Sequence, residues 1–190
     1  MQTANEWLER SKNILASEIF QDTTLADKCT ISYGFPSKSA LGAKSRRVGE
    51  AWQTADGVEA IFISPTLFKR ANYGEILGTL IHELIHISIG VDKGHRGGFK
   101  KMMNKVGLVG KATSTDVGLP LLSRLNDLKR SIGEAPEALL DSSKAKKQGA
   151  RMIKLSCLCG RIIRLSRKAI GEGSISCGNC DTDFKEDEGK

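Results

Sequence analysis

The sequence predicts an α+β chain in which helices pack on a short antiparallel sheet, followed by a small β appendage. Three observations carry this prediction. Apolar residues recur at helical spacing near residues 5–20, 75–89 and 121–128. Between the first two of these stretches lie alternating, β-rich segments, two of which flank Asp56 and Gly57, a strong hairpin signal. Beyond residue 140 the chain turns Ser/Lys-rich and then carries two close cysteine pairs. These shifts divide it into a domain over 1–140, a linker over 141–150 and an appendage over 151–190.

Residues 5–20 place Trp7, Leu8, Ile14, Leu15, Ile19 and Phe20 on one side of an amphipathic helix that packs on the core. Residues 28–34 alternate and form a strand, and Cys29 within it is expected as a buried, inert thiol. Pro36 and the segment to Gly42 interrupt that strand with a loop. Residues 46–53 and 58–64 are two further strands joined through the Asp-Gly turn, and Ser64-Pro65 stops the second. Asn72 to Gly74 leads into a helix over 75–89. A second helix is expected over 99–106, and Leu121, Leu122, Leu125 and Leu128, after Pro120, form another that closes the core.

The chemistry concentrates on the helix over 75–89. It holds two of the chain's three histidines, and the third, His95, follows nine residues after the second. Residues four apart on a helix differ by about 40° in direction, so His82 and His86 project side by side, as two imidazoles on one zinc must. Glu83, one position round, is poorly placed to join that tetrahedron and well placed to reach a water on its open side as a general base. Ile76, Leu77, Leu80, Ile81, Leu84, Ile85 and Ile87 cover most of the remaining circumference, so the helix is a buried core element with one polar stripe. The glycine-rich turn after Gly90 can swing His95 back as a third ligand.

The tail carries a second metal-ligand set. Cys157 and Cys159, then Cys177 and Cys180, flank a short β-like segment over 161–165, and four thiolates on facing turns suit one structural zinc in a ribbon. A tail of this size has too little core to fold without metal. Between residues 144 and 168 the basic residues Lys144, Lys146, Lys147, Arg151, Lys154, Arg161, Arg164, Arg167 and Lys168 occur with no Asp or Glu among them. Such a run is a positive surface suited to the phosphates of a nucleic acid.

At 190 residues and 39% hydrophobic content the chain can hold one ordinary domain with a real core plus an appendage, and its net charge of +7 favours a polyanionic partner. No stretch has the pattern of a signal peptide or a membrane span, so a cytoplasmic, intracellular, soluble protein is expected, with association with DNA or the nucleoid and no membrane partner. Five cysteines fit that compartment if four of them hold metal.

These motifs resemble the SprT-like zinc metallopeptidases, relatives of the Spartan protease that degrades proteins crosslinked to DNA. The resemblance runs from about residue 5 to 110 and again in the tail. It is carried by the strand over 61–65, by His82, Glu83 and His86, and by Gly94, His95 and the Phe99 that follows; Arg96 stands where the family has glycine. It implies a small zincin-like domain in which His82, His86 and His95 bind a catalytic zinc and Glu83 is the acid/base, with a cysteine ribbon at the end. Metzincin spacing is absent, since it would need glycine at Ile89 and histidine at Asp92. The expected function is zinc-dependent endopeptidase action on DNA-associated or DNA-crosslinked proteins, with two zinc ions per chain, protein substrates, and DNA bound through the tail. The rival is a non-catalytic zinc protein that binds DNA or RNA polymerase in transcription.

Overall fold

The computed structural model describes residues 2–37, 47–137 and 152–186. The chain divides into two compact units, residues 1–142 and 143–190. Both combine helices with small sheets. No helix among the described residues is long and apolar enough to cross a membrane. The linker expected over 141–150, with Lys144, Lys146 and Lys147, lies outside the described residues, as does Arg151 at the start of the expected ribbon.

The first unit opens with α1 (Ala4–Leu15), started by a capping box in which Thr3 and Glu6 satisfy each other's backbone N–H groups. Trp7, Leu8 and Leu15 are fully buried, and the Trp7 indole donates to the Gly133 carbonyl at 3.0 Å. The helical run expected to reach residue 20 does so with a widened last turn, Ala16–Phe20, closed by Gln21 at φ 57°. Cys29 is buried, as expected, and burial pushes its thiol up to about 11.

The sheet has the order β1 (Cys29–Tyr33), β3 (Glu59–Ile63), β2 (Gly49–Gln53). β2 and β3 form the antiparallel hairpin expected around Asp56-Gly57, with Ala51 opposite Ile61. The wholly antiparallel sheet is corrected, because β1 pairs with β3 in parallel, Ile31 opposite Ile61. The reason is parity: three strands running up, down and up make the first and third co-directional, and β3 inserts between the other two. Hairpins announce themselves by their turn, whereas which strand inserts where has no local signal.

After β3 come α2 (Pro65–Arg70), capped by Ser64, and α3 (Tyr73–Ile89), capped by a reciprocal pair in which Asn72 accepts from Glu75 N at 3.0 Å and Glu75 accepts from Asn72 N at 2.8 Å. Leu77, Leu80, Ile81, Leu84 and Ile85 of α3 are fully buried, as are Ile61 and Ile63 of β3, and α3 contacts both β2 and β3. Full burial of one such side chain is worth roughly 1.5–3 kcal/mol, so this central helix is anchored by packing more than by helix propensity.

α3 ends at Gly90, whose φ of 95° few other residues adopt. A short turn, Val91–Lys93, leads to α4 (Gly97–Val106), then to a hairpin of β4 (Leu108–Lys111) and β5 (Ser114–Val117), and finally to α5 (Leu119–Ile132), which starts with Pro120 and buries Leu121, Leu125 and Ile132. The hairpin was not expected. Only Leu108 of its eight strand residues is buried, so it carries almost no alternation to detect.

The second unit is a three-stranded antiparallel sheet in the order β7 (Ile162–Ser166), β6 (Met152–Ser156), β8 (Lys185–Glu186), with a short α6 (Arg167–Gly171) after β7. Its buried side chains among the described residues are Leu155, Cys157 and Cys177. That is a very small core.

Candidate metal centre

The helical spacing of His82 and His86 brings their rings to 5.3 Å centroid separation on one face of α3. The chain then reverses through Gly90 and Gly94, both at positive φ, and returns His95 to the same point. His82 Nε2 lies 3.1 Å and His86 Nε2 3.2 Å from His95 Nε2. Nitrogens about 2.0–2.1 Å from one tetrahedral zinc would lie about 3.4 Å apart, so the donor set fits such an ion with little adjustment. Burial, reinforced by the neighbouring histidines, pushes His82 down to about 3 and His86 down to about 4, while burial and then Arg47 lower His95. Each of these shifts favours the neutral ring, the form with a lone pair to offer.

Phe99, fully buried, touches all three rings at centroid distances of 4.7–4.8 Å. It forms an apolar floor under the imidazoles. The first turn of α4 thus supplies both a support and, just before it, the third histidine.

Glu83 is 6% exposed and burial pushes its carboxyl up to about 8, with Glu50 adding to the shift and Arg47 opposing it. The carboxylate sits against Gly49 of β2, where no side chain intervenes. Glu50, on the next residue, is buried too; it accepts from Ser37 N at 2.8 Å and Ser37 Oγ at 2.9 Å and is paired with Arg47. Glu83 and the three histidines share a cleft of about 720 Å³ whose walls include Arg47, Ala51, Trp52, Val91 and Thr113.

β2 is an edge strand, paired among the described residues only with β3. Ladder bonds from Ser64 N to Val48 O and from Thr54 N to Val58 O assign the even-numbered residues to the partner, so Gly49, Ala51 and Gln53 turn their backbone groups outward beside the cleft. Trp52 there is 47% exposed.

The second donor set is in the other unit. The sulfurs of Cys157 and Cys159 are 3.0 Å apart, those of Cys159 and Cys177 3.7 Å, and those of Cys180 and Cys157 4.0 Å, with no disulfide among them. Thiolates about 2.3 Å from one zinc would be about 3.8 Å apart. Each pair lies on a tight turn: Gly160 N donates to Cys157 O at 2.9 Å with Gly160 at φ 82°, and Cys180 N donates to Cys177 O at 3.2 Å. The His82, His86, His95 group and the Cys157, Cys159, Cys177, Cys180 group could each hold a metal ion, and both are compatible with zinc.

The chain matches no protein-family model and no curated protein.

Of the basic residues singled out in the tail, Lys154, Arg161, Arg164, Arg167 and Lys168 are described, and all are exposed. Lys154 and Arg164 stand directly opposite each other on β6 and β7, between the exposed Met152 and Ile162. The Arg167 guanidinium grips Glu186 with two bonds of 3.0 and 3.2 Å. Sequence reasoning missed Gly49, Phe99, Thr115 and the Arg47–Glu50 pair as parts of the first site. Only Phe99 had a signal, its closeness to His95.

Proposed function

We propose that the chain is a zinc-dependent endopeptidase of the SprT-like type that cuts proteins associated with or crosslinked to DNA, with one catalytic and one structural zinc and with DNA held by the tail. The observation that carries this reading is the convergence of three imidazole nitrogens beside a buried glutamate in a cleft walled by a strand edge left unpaired among the described residues. A purely structural zinc would need no carboxylate at Glu83 and would usually close its fourth ligand position.

His82, His86 and His95 would hold the catalytic ion, which when bound supplies Lewis-acid polarisation and a water that ionises near pH 7. Glu83 takes a proton from the attacking water and later delivers it to the leaving amine. Burial raises its proton affinity in the metal-free chain, and a cation in the adjacent histidine site would favour the ionised, proton-accepting carboxylate. The outward backbone groups of Gly49, Ala51 and Gln53 receive an extended peptide as an added strand, which aligns its carbonyls along the cleft. Cys157, Cys159, Cys177 and Cys180 would hold the second ion and with it the fold of the tail.

The deciding experiment is Glu83→Gln, assayed for cleavage of a DNA-binding protein with and without DNA. Zinc content should stay the same, and cleavage should fall by at least ~100-fold, the low end of what a positioned general base contributes. Undiminished cleavage by the variant, or no cleavage by the wild type under any nucleic-acid condition, would favour the non-catalytic binding protein.

A further inference from the structure

The three histidines differ in what their second ring nitrogen meets. His86 Nδ1 is buried with no hydrogen-bond partner among the described residues, whereas His82 Nδ1 lies 3.0 Å from Thr115 Oγ1. We infer that Thr115 is the positioning residue for His82, its hydroxyl accepting the Nδ1 hydrogen and so presenting the Nε2 lone pair to the point where the three Nε2 atoms meet.

A neutral imidazole carries one N–H and one lone pair, so whichever nitrogen holds the proton cannot bind a metal. For His82 Nε2 to share a metal with His95 Nε2, Nδ1 must carry the hydrogen, and the acceptor opposite it selects that tautomer and the ring angle together. Thr115 can serve because its hydroxyl accepts from His82 while its own hydrogen remains free to turn elsewhere.

The way β5 lies on α3 makes this contact more than incidental. A Cβ on Gly78 would stand 2.5 Å from Val117 Cγ2, so Val117 seats in a notch that only glycine leaves open. Gly78 and His82 are four residues apart on α3, a rise of about 6 Å, and Val117 and Thr115 are two apart on one face of β5, about 6.6–6.8 Å. The strand therefore runs along the helix in step with it: Val117 in the Gly78 notch fixes the register, and Thr115 falls opposite His82. A slip of one residue would turn the hydroxyl to the other face of the hairpin.

This inference rests on the histidines holding metal and not on proteolysis. The test uses the full chain, with zinc affinity at the histidine site measured by competition with a chromophoric chelator, the cysteine site serving as internal reference. Thr115→Val keeps the branched shape and removes the acceptor, and should weaken the histidine site by about 10–100-fold, the usual effect of losing such a partner, while leaving the cysteine site unchanged. Thr115→Ser should restore most of that loss. In the metal-free protein, nitrogen NMR of the His82 ring should show the Nδ1–H tautomer in the wild type and in Thr115→Ser, and a shift toward Nε2–H in Thr115→Val. Equal affinity in wild type and Thr115→Val, or equal losses in the Val and Ser variants, would overturn the role of Thr115. A wild type that takes up zinc only at its cysteines would instead overturn the metal reading itself.

Discussion

A Cβ on Gly49 would lie 2.5 Å from Glu83 Oε1 and 2.8 Å from Thr79 Cγ2. The Glu83 carboxylate thus occupies the space that a side chain on the edge strand would fill, and glycine is what allows α3 to lie so close to β2. Exposed, a glutamate could swing aside at little cost. Glu83 is buried, and the same methyl would press on its Cγ at 3.0 Å, so the obstruction cannot be passed to a free end.

Gly49→Ala should therefore cost about 1–3 kcal/mol of stability by overpacking. Its larger effect should be on cleavage, about 100-fold, since displacing a catalytic group by an ångström is enough for that loss. Zinc content should not change, because the atoms nearest the added methyl belong to Glu83 and Thr79 and not to a histidine. Thermal melting, elemental analysis and cleavage on one preparation check the three expectations together. A lowered melting temperature with full activity would separate the seat of Glu83 from the chemistry.

Gly78→Ala sets two effects against each other. Alanine improves helix propensity over glycine by about 1 kcal/mol, but its methyl meets Val117 Cγ2 at 2.5 Å. Overpacking of this kind costs about 1–3 kcal/mol, so the single variant should be destabilised. In Gly78→Ala combined with Val117→Ala the obstruction is gone, and the glycine change should then be neutral or favourable. Chemical denaturation of both singles and the double closes this cycle, and additive losses would show that the two residues do not share one notch.

Much of this architecture is legible in the sequence, and what is not has physical causes. The helices are readable because Leu77, Leu80, Ile81, Leu84 and Ile85 repeat at helical spacing and are all buried. His82 and His86 are readable for the same reason, since helical geometry alone brings positions four apart together. The cysteine pairs need only their close spacing. Gly49 and Thr115 are different: each acts across an interface, one through the position of β2 under α3 and the other through a hairpin with a single buried strand residue. Their chemistry is ordinary, a missing methyl and a hydroxyl, and only register gives it meaning. The parallel pairing of β1 with β3 is hidden in the same way, because it follows from strand order.

The two donor sets should respond differently to chelation. The fully metallated chain should contain two zinc ions, and their loss should unfold the second unit while the first, with its large apolar core, persists. The second unit buries too few side chains to replace the roughly 10–16 kcal/mol that zinc contributes in comparable small domains. Cys177→Ser should reproduce the loss of the tail alone, read as disappearance of its strand signals in NMR with those of α3 retained. A metallated, intact chain with a single zinc would count against one of the sites.

The basic tail can be tested residue by residue, because its cations are not equivalent. Arg167 is held by Glu186 through two bonds, whereas Arg164 faces Lys154 across the strand pair. At Arg167 an arriving phosphate must compete with a carboxylate already in place. Arg164→Glu should therefore weaken DNA binding more than Arg167→Glu. Binding should depend little on sequence and fall steeply with salt, with the slope reduced by about one for each phosphate contact removed. Reversing Arg161, Arg164 and Arg167 together should slow cleavage of DNA-bound protein and leave the zinc of the histidine site in place. The control is a chain ending after residue 140, compared with the full chain on one substrate with and without DNA. Equal affinity and equal cleavage in the two would mean that the exposed Lys154–Arg164 face, with Met152 and Ile162 beside it, meets a protein instead.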